Sequence, residues 1–580
     1  MVHADLLLTG ALVFESAWRR FRPASVAIEG GRVLYVGSDE SALAQIAADE
    51  VRDLSGRWLI PGLVDIHMHI ESSMVTPPVF LRAALEHGTT TCVAEPHEIA
   101  NVFGVEGIRE FIRLSPAGDL TRTDVFFGAP SSVPSTDLED AGAAVSPAEV
   151  AELMGDARVR CLGEVMDCRT VSTQPDSRAA AVVRAAQGAR QGAIIEGHVP
   201  AFMGLDLARI LFAGVDSDHC EQTPERLRER IEMGMFVEVQ YKSVTPEVVD
   251  WLCEHPQLAG LWSFVTDDVM ADQLVDDHLA RVVRRAISLG MPAEEAVFAA
   301  TTSPAERMEL RDRGRIAPGR LADLVVLDSL EGFHVAEVYR GGQRLASDGG
   351  AEAARHDFPE RYYTSVHLSP RGEKDFALAA PAGVASGAVR VRTMEIQPRS
   401  TFTPEAIREV AVRDGHVCWK EAGLALARVF ERHHGTGRVG TALLSGACLE
   451  RGAVASTWVH DHHNLLVVGR DEKDMQVAAN AVIEAQGGLA VVEDGQVVAS
   501  MPLPVAGILT EAPLAEAGVR LSEVTAALKR LGWGNANPVM SVCTIALPVS
   551  PELKVTDRGL VDVRAGQLVD LFVEDSEVAS

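Results

Sequence analysis

At 580 residues the chain is too long for one hydrophobic core and is expected to fold as two or three domains. The 82 acidic against 53 basic residues leave a formal charge of -29, which repels phosphate backbones and anionic lipid head groups and argues against nucleic acid and membrane as partners. No apolar run is long enough to cross a bilayer, and the start Met1-Val2-His3-Ala4-Asp5 lacks the basic end and apolar stretch of a signal peptide, so a cytoplasmic location is expected. The eight cysteines are scattered without a Cys-x-x-Cys pair, which suggests neither a disulfide framework nor a zinc knuckle.

Residues 1–60 open with short β-like runs at 5–9, 25–28 and 32–36, with Gly30-Gly31 as a tight turn between two of them. From 61 to about 305, apolar strands alternate with helical stretches, the signature of a parallel α/β architecture. Eight strands are predicted, at 63–68, 89–94, 124–129, 159–166, 193–197, 214–218, 236–240 and 263–267. Amphipathic segments at 102–114, 179–191, 205–212 and 274–289 lie between or after them. Eight strand and helix pairs in a stretch of this length predict a closed (β/α)8 TIM-like barrel over 61–305. Short strands with Pro-Gly turns resume at 314–328, so 306–375 is expected to join 1–60 in a small β-sandwich domain built from both sides of the barrel. Residues 346–386, rich in Gly, Ala, Asp and Pro, read as a linker. An additional C-terminal α/β domain is expected over 385–580, with strands at 465–469 and 490–493 and a helix at 471–486.

Catalytic groups of such a barrel project from the C-terminal ends of its strands. The first strand ends in His67-Met-His69, and alternate residues of a strand point the same way, so both imidazoles leave one face and converge beyond its end. The fourth strand carries Glu164, the fifth ends in His198, the sixth in His219 and the eighth in Asp267-Asp268. Any one of these histidines alone reads as an ordinary core or loop residue. Four imidazoles and at least two carboxylates aimed at one spot exceed the needs of one metal, whereas two metals bridged by a carboxylate use such a set.

In this order the residues resemble the amidohydrolase superfamily, whose barrels present His-x-His after strand one, a bridging carboxylated lysine or glutamate after strand four, histidines after strands five and six, and an aspartate after strand eight. The resemblance narrows with His67-Met-His69-Ile-Glu71-Ser72-Ser73, Glu95-Pro-His97-Glu98-Ile-Ala-Asn101, Thr266-Asp267-Asp268, His460-Asp461-His462-His463-Asn464 and Leu503-Pro-Val-Ala-Gly507. Over nearly the full length the chain is similar to the bacterial adenine deaminases. Three positions depart from that family's pattern: Glu95 stands for an aspartate, Cys220 for a glutamate and His462 for a serine. They leave room for a different purine.

The resemblance implies two divalent ions held by His67, His69, Glu164, His198, His219 and Asp267, Mn2+ or Fe2+ by family, with Zn2+ accepted by the same ligand types. Two cations on Glu164 would lower the pKa of a shared water toward neutral, and the resemblance implies that the hydroxide so supplied would attack C6 of adenine, giving hypoxanthine and ammonia in purine salvage. Asp267 is expected to carry the water's proton to the departing amine, with Asp268 as its neighbour; the sequence leaves open which of the two holds metal. Glu98, on the loop after strand two, is the candidate for protonating the purine ring, with His97 as the alternative; Glu71, Ser72 and Ser73 are candidates to line the pocket. The 460–464 run is a solvated turn or a closure of the pocket from the last domain. A small purine is the expected partner, and a homodimer or higher homo-oligomer follows from how superfamily barrels often pair. The rival readings are a cyclic-amide hydrolase or deacetylase on the same barrel, and a metal-free scaffold, which the presence of all four histidines disfavours.

Overall fold

The computed structural model describes residues 1–346 and 358–573. The first strands, Val2–Glu15, Arg20–Glu29, Arg32–Gly37, Ile46–Asp53 and Trp58–Pro61, share one sheet with three strands from beyond the barrel, Leu324–Ser329, His334–Arg340 and Gln343–Arg344. The two parts are stitched by antiparallel pairing of Leu324 through Leu327 with Pro61 back to Trp58. Along Val2–Glu15, Ala4, Leu6 and Leu8 are buried and the residues between them are more open, the period of a strand with one face on a core. That core also takes in Val26, Val33, Leu59, Leu324 and Val326, so the sheet wraps around it.

The barrel strands are Leu63–His69, Thr89–Ala94, Asp124–Ala129, Val159–Val165, Ile194–Gly197, Ser217–Asp218, Phe236–Val239 and Trp262–Phe264. All their pairings are parallel, and the first two strands are buried at every residue, as expected where helices cover the outside. The eighth strand breaks after Phe264 and resumes at Asp267–Asp268, which pair with Met68 and His69 and close the ring. Just past the break, Asp267 has a φ of 60°, a left-handed conformation unusual in a strand. The sixth strand is shorter than its apolar run predicts. Between it and the fifth strand, side chains replace part of the backbone ladder: Ile195 N donates to Asp216 Oδ1 (3.3 Å), Gly197 N to Ser217 Oγ (3.1 Å) and Val199 N to Asp218 Oδ1 (3.0 Å).

The last domain is built on a nine-stranded sheet running from Gly387–Ile396 to Gln496–Pro502, with helix Glu472–Glu484 on one face. Leu426, Leu443, Val467 and Val492 face that helix's Met475 and Ala478. Their alternates Ala427, Leu444, Val468 and Val491 join a core shared with Val102, Val105 and Ile108 of the barrel. Strand periodicity thus sets the domain directly on the barrel. The backbones pair as well, Thr510 N donating to Met74 O (2.8 Å) and Thr76 N to Thr510 O (3.2 Å), beside the loop that follows the first barrel strand. Part of the predicted linker, 347–357, lies outside the described residues. Its later part is packed: Phe358 and Tyr362 enter the shared core, and Val366, Phe376 and Leu378 the core of the last domain.

Candidate metal centre

The converging strand ends bring the six expected ligands together. His69 Nε2 lies 3.5 Å from Glu164 Oε1 and 3.4 Å from Asp267 Oδ1, and His67 Nε2 is 3.8 Å from the same Asp267 oxygen. On the other side of Glu164, Oε2 faces His198 Nδ1 at 3.1 Å and His219 Nε2 at 3.2 Å, and these two nitrogens are themselves 3.1 Å apart. The His67 and His219 rings stack with centroids 3.8 Å apart. Glu164 therefore sits with Oε1 toward His69 and Oε2 toward His198 and His219, while His67 faces Asp267 and stacks on His219. His67 Nε2 is buried and has no hydrogen-bond partner among the described residues. Nitrogens that face each other and a carboxylate in a dry pocket, one of them orphaned, fit divalent cations and fit little else.

Electrostatics follow the same layout. Burial and the neighbouring His219 push His67 well below its ordinary value, so it is a neutral lone-pair donor. Burial lowers His69 too, but the carboxylates of Asp267, Glu164 and Asp268 together outweigh it and lift the group to about 10. Against the cost of burial, His219 and His198 hold Glu164 well below the carboxylate range. Of the two aspartates that sequence could not separate, Asp267 faces the imidazoles, while Asp268 Oδ1 accepts a hydrogen bond from Ser72 Oγ. His198 is the open member: its side chain is 34% exposed, against 2% for His67 and His219.

A second cluster adjoins the first. His97 and Glu98, expected on a loop, occupy the first turn of helix His97–Leu114, which begins directly after Pro96. His97 Nδ1 is 3.9 Å from Glu164 Oε1, and its Nε2 is 3.4 Å from Glu98 Oε1 and 3.7 Å from Asp461 Oδ1. Glu98 is fully buried and contacts His460 Nδ1 through one oxygen and His463 Nε2 through the other. Glu71 is also buried, its Oε1 accepting from Ile99 N (3.1 Å) and its carbonyl from Trp458 Nε1 (3.3 Å). Its second carboxylate oxygen has no partner among the described residues, and burial pushes the group up to about 7. Asp65, beneath His67 on the same strand face, accepts from Thr266 Oγ1 at 2.6 Å; sequence reading passed over it, although its spacing of two from His67 was a signal. A cavity of about 320 Å³ between Arg19, Cys253, Trp262 and Glu295 holds none of these residues.

Residues 58–256 and 253–346 match models of the amidohydrolase family, and 400–567 match the adenine deaminase C-terminal domain. A protein of Shouchella clausii named adenine deaminase 2 is 45% identical over 99% of this chain and 100% of its own. An adenine deaminase of Clostridium perfringens is 40% identical over 98% and 100%, and adenine deaminase 2 of Oenococcus oeni 38% identical over 100% of both. The chain belongs to the adenine deaminase family. The three positions that depart from that family's pattern can now be placed. Glu95 Oε2 accepts the backbone N–H of Glu164 at 2.6 Å, and its carbonyl lies 3.2 Å from His69 Nδ1. Cys220 is buried beside His219, its backbone N–H held by Asp218 Oδ1 at 3.0 Å. The ring of His462 accepts from Asn464 N at 3.0 Å and its carbonyl lies 2.7 Å from His433 Nε2, so it supports the turn. Among the described residues no helix is long and apolar enough to cross a membrane.

Proposed function

We infer that the protein is an adenine deaminase, which hydrolyses the amino group from C6 of adenine and releases hypoxanthine and ammonia. The observation that carries this reading is end-to-end identity of 45% with a protein of that name, together with the matched C-terminal domain. Neither a cyclic-amide hydrolase nor a metal-free scaffold is favoured by those relatives. In this reading His67, His69, Glu164, His198, His219 and Asp267 hold two divalent cations, Mn2+ or Fe2+, with Zn2+ as a further candidate. Such ions supply Lewis acidity that lets a water molecule ionise near neutral pH.

The protein's own groups do the rest. Asp267, 3.4 Å from His69 and 3.8 Å from His67, accepts the proton of the attacking water and returns it to the departing amine. At the other side of the site the ring nitrogen must gain a proton. Glu98 has an imidazole on each oxygen, which favours its anion, so His97, with Nε2 3.4 Å from Glu98 Oε1, is the better-placed donor and Glu98 its orienting partner. Ser72 and Asp268, joined by their hydrogen bond, and Glu71 with its unpartnered oxygen are the groups we assign to the edge of the purine. The reaction serves purine salvage in the cytoplasm, and the protein works as a homodimer or larger homo-oligomer. Counting metal per chain while comparing ammonia release from adenine, adenosine, guanine and a cyclic amide tests the reading. Two ions and turnover of adenine alone are expected; turnover of the cyclic amide alone would overturn it.

A further inference from the structure

The turn at 460–464 is far from the barrel ligands in sequence, yet the barrel's Glu98 is gripped almost entirely by it. Each oxygen of Glu98 meets an imidazole of the turn: Oε2 is hydrogen-bonded to His463 Nε2, and Oε1 lies against His460 Nδ1 as an ion-pair contact without hydrogen-bond geometry, and all three side chains are buried. Asp461 of the same turn stands 3.7 Å from His97 Nε2. We propose that this turn completes the catalytic centre, with His460 and His463 as positioning residues that hold Glu98, and through it the His97 ring, against the metal cluster. The proposal rests on the adenine deaminase reading for its substrate, and on the geometry for its residues.

The support behind the turn is built for rigidity. Arg432 is fully buried and donates from Nε to the His463 carbonyl, from Nη1 to Ser365 O (2.9 Å) and from Nη2 to Ala506 O (2.9 Å). Asn464 Oδ1 accepts from Arg432 N (3.0 Å), and Asn464 Nδ2 donates to Asp140 O of the barrel (2.8 Å). Gly507 shows how tight the packing is: its φ is 74°, and a Cβ there would lie 2.8 to 2.9 Å from three atoms of the Arg432 guanidinium. The Leu503 to Gly507 motif therefore serves the turn. A carboxylate and two imidazoles taken out of water are costly unless they are paired. A contact meant only to join two domains needs no such groups, and the shared apolar core around them already joins these two. What the pair of imidazoles adds is direction. With an imidazole against each oxygen Glu98 is confined, and the His97 ring is placed with Nε2 toward Glu98, 3.4 Å away, and Nδ1 toward Glu164, 3.9 Å away.

The test compares side chains of similar volume that keep or lose the donor. In the full-length, metal-loaded protein, His463→Gln places an amide N–H near the former Nε2, and His460→Asn does the same for Nδ1; His463→Met and His460→Met fill the space without a donor. Wild-type ammonia release from adenine is measured first, and its absence would defeat the functional reading before the positioning residues are in question. With turnover established, the Met variants are expected to keep two metals and an unchanged KM while kcat falls about 100-fold. The Gln and Asn variants are expected to recover at least tenfold of that loss. If a Met variant does not fold, the Gln and Asn variants carry the comparison alone, each expected within about tenfold of wild type in kcat with KM unchanged. A Met variant within twofold of wild type in kcat, a loss confined to KM, or Gln and Asn variants no better than Met would overturn the proposal.

Discussion

Replacing Gly163 by alanine is expected to loosen the metals without touching a ligand. Gly163 precedes Glu164 on the fourth barrel strand, and a Cβ built there would sit 2.3 Å from Glu95 Oε1, 2.4 Å from its Cδ and 2.8 Å from Oε2. The whole carboxylate must move. It is only 4% exposed, so it has little room to swing, and in moving it gives up the 2.6 Å hydrogen bond from Glu164 N. Losing a hydrogen bond to a charged acceptor costs about 1.5–3 kcal/mol. Overpacking a dense interior adds about 1–3 kcal/mol, which makes roughly 2.5–6 kcal/mol in all. Because the lost bond fixes the backbone of Glu164 itself, metal affinity is expected to fall about 10- to 100-fold, the usual effect of removing a group that orients a ligand. Titration of the apo-protein with Mn2+ against a competing chelator measures it. Glu95→Asp withdraws the carboxylate by one methylene, so the double variant is expected to bind metal better than Gly163→Ala alone, a coupling that independent sites would not show. Wild-type affinity in Gly163→Ala, or strict additivity in the double variant, would refute the reasoning.

Three further outcomes are expected. Chelation should lower the melting temperature, and readdition of Mn2+ at about 1,000 times its Kd should restore roughly 4 kcal/mol of stability; a melt indifferent to metal would count against buried ligands at the barrel mouth. Asp267→Asn should lower kcat by about 100-fold or more, whereas Ser72→Ala, which releases Asp268, should act mainly on KM for adenine; steady-state ammonia release separates the two. Lys554 is fully buried with Nζ donating to Thr401 O at 2.8 Å, and burial pushes it down to about 7. Between pH 7 and the ordinary lysine value the unfolded chain then binds the proton that the folded chain does not, so stability rises with pH across that window and is lowest below it. The penalty at pH 7 is about 4 kcal/mol, so Lys554→Met, less about 1 kcal/mol for the carbonyl it abandons, should melt higher at pH 7 and lose that advantage towards pH 10.5.

The clustering of the candidate ligands was legible because strand geometry writes it into local sequence. Two histidines two apart at the end of a continuously apolar strand have one geometric meaning, and Glu164, His198 and His219 repeat the position on later strands. The choice between Asp267 and Asp268 was not legible, since it turns on the φ of 60° at Asp267, which redirects consecutive side chains and comes from ring closure rather than from any pattern. Placing Glu98 on a loop failed for a local reason: the residues after Pro96 already wind into helix, and the apolar rhythm that marks a helix becomes readable only further on.

The run of imidazoles at 460–464 points to a closure of the pocket, but its grip on Glu98 was not legible, because it is made when one face of the nine-stranded sheet docks on the barrel. Alternation along a strand tells that Ala427, Leu444 and Val468 share a face, but not what covers it. The covering is the barrel itself, and this bears on why the last domain is part of the same chain. Glu98 lies in the first turn of a helical segment that kinks at Gly104, and Val102 before the kink and Val105 and Ile108 after it lie in that shared core, so the apolar contact that seats the domain and the polar contact that fixes Glu98 are made by adjoining parts of one kinked segment. A shift of the domain large enough to free Glu98 must therefore also open the core beneath it. Shortening Val105 and Ile108 to alanine should then reduce kcat as well as stability, although neither residue touches the site, and the loss of kcat should persist below the melting transition with two metals still bound. Full kcat in that folded, metal-loaded double variant would mean that Glu98 is held by its own domain, with the imidazoles merely following it.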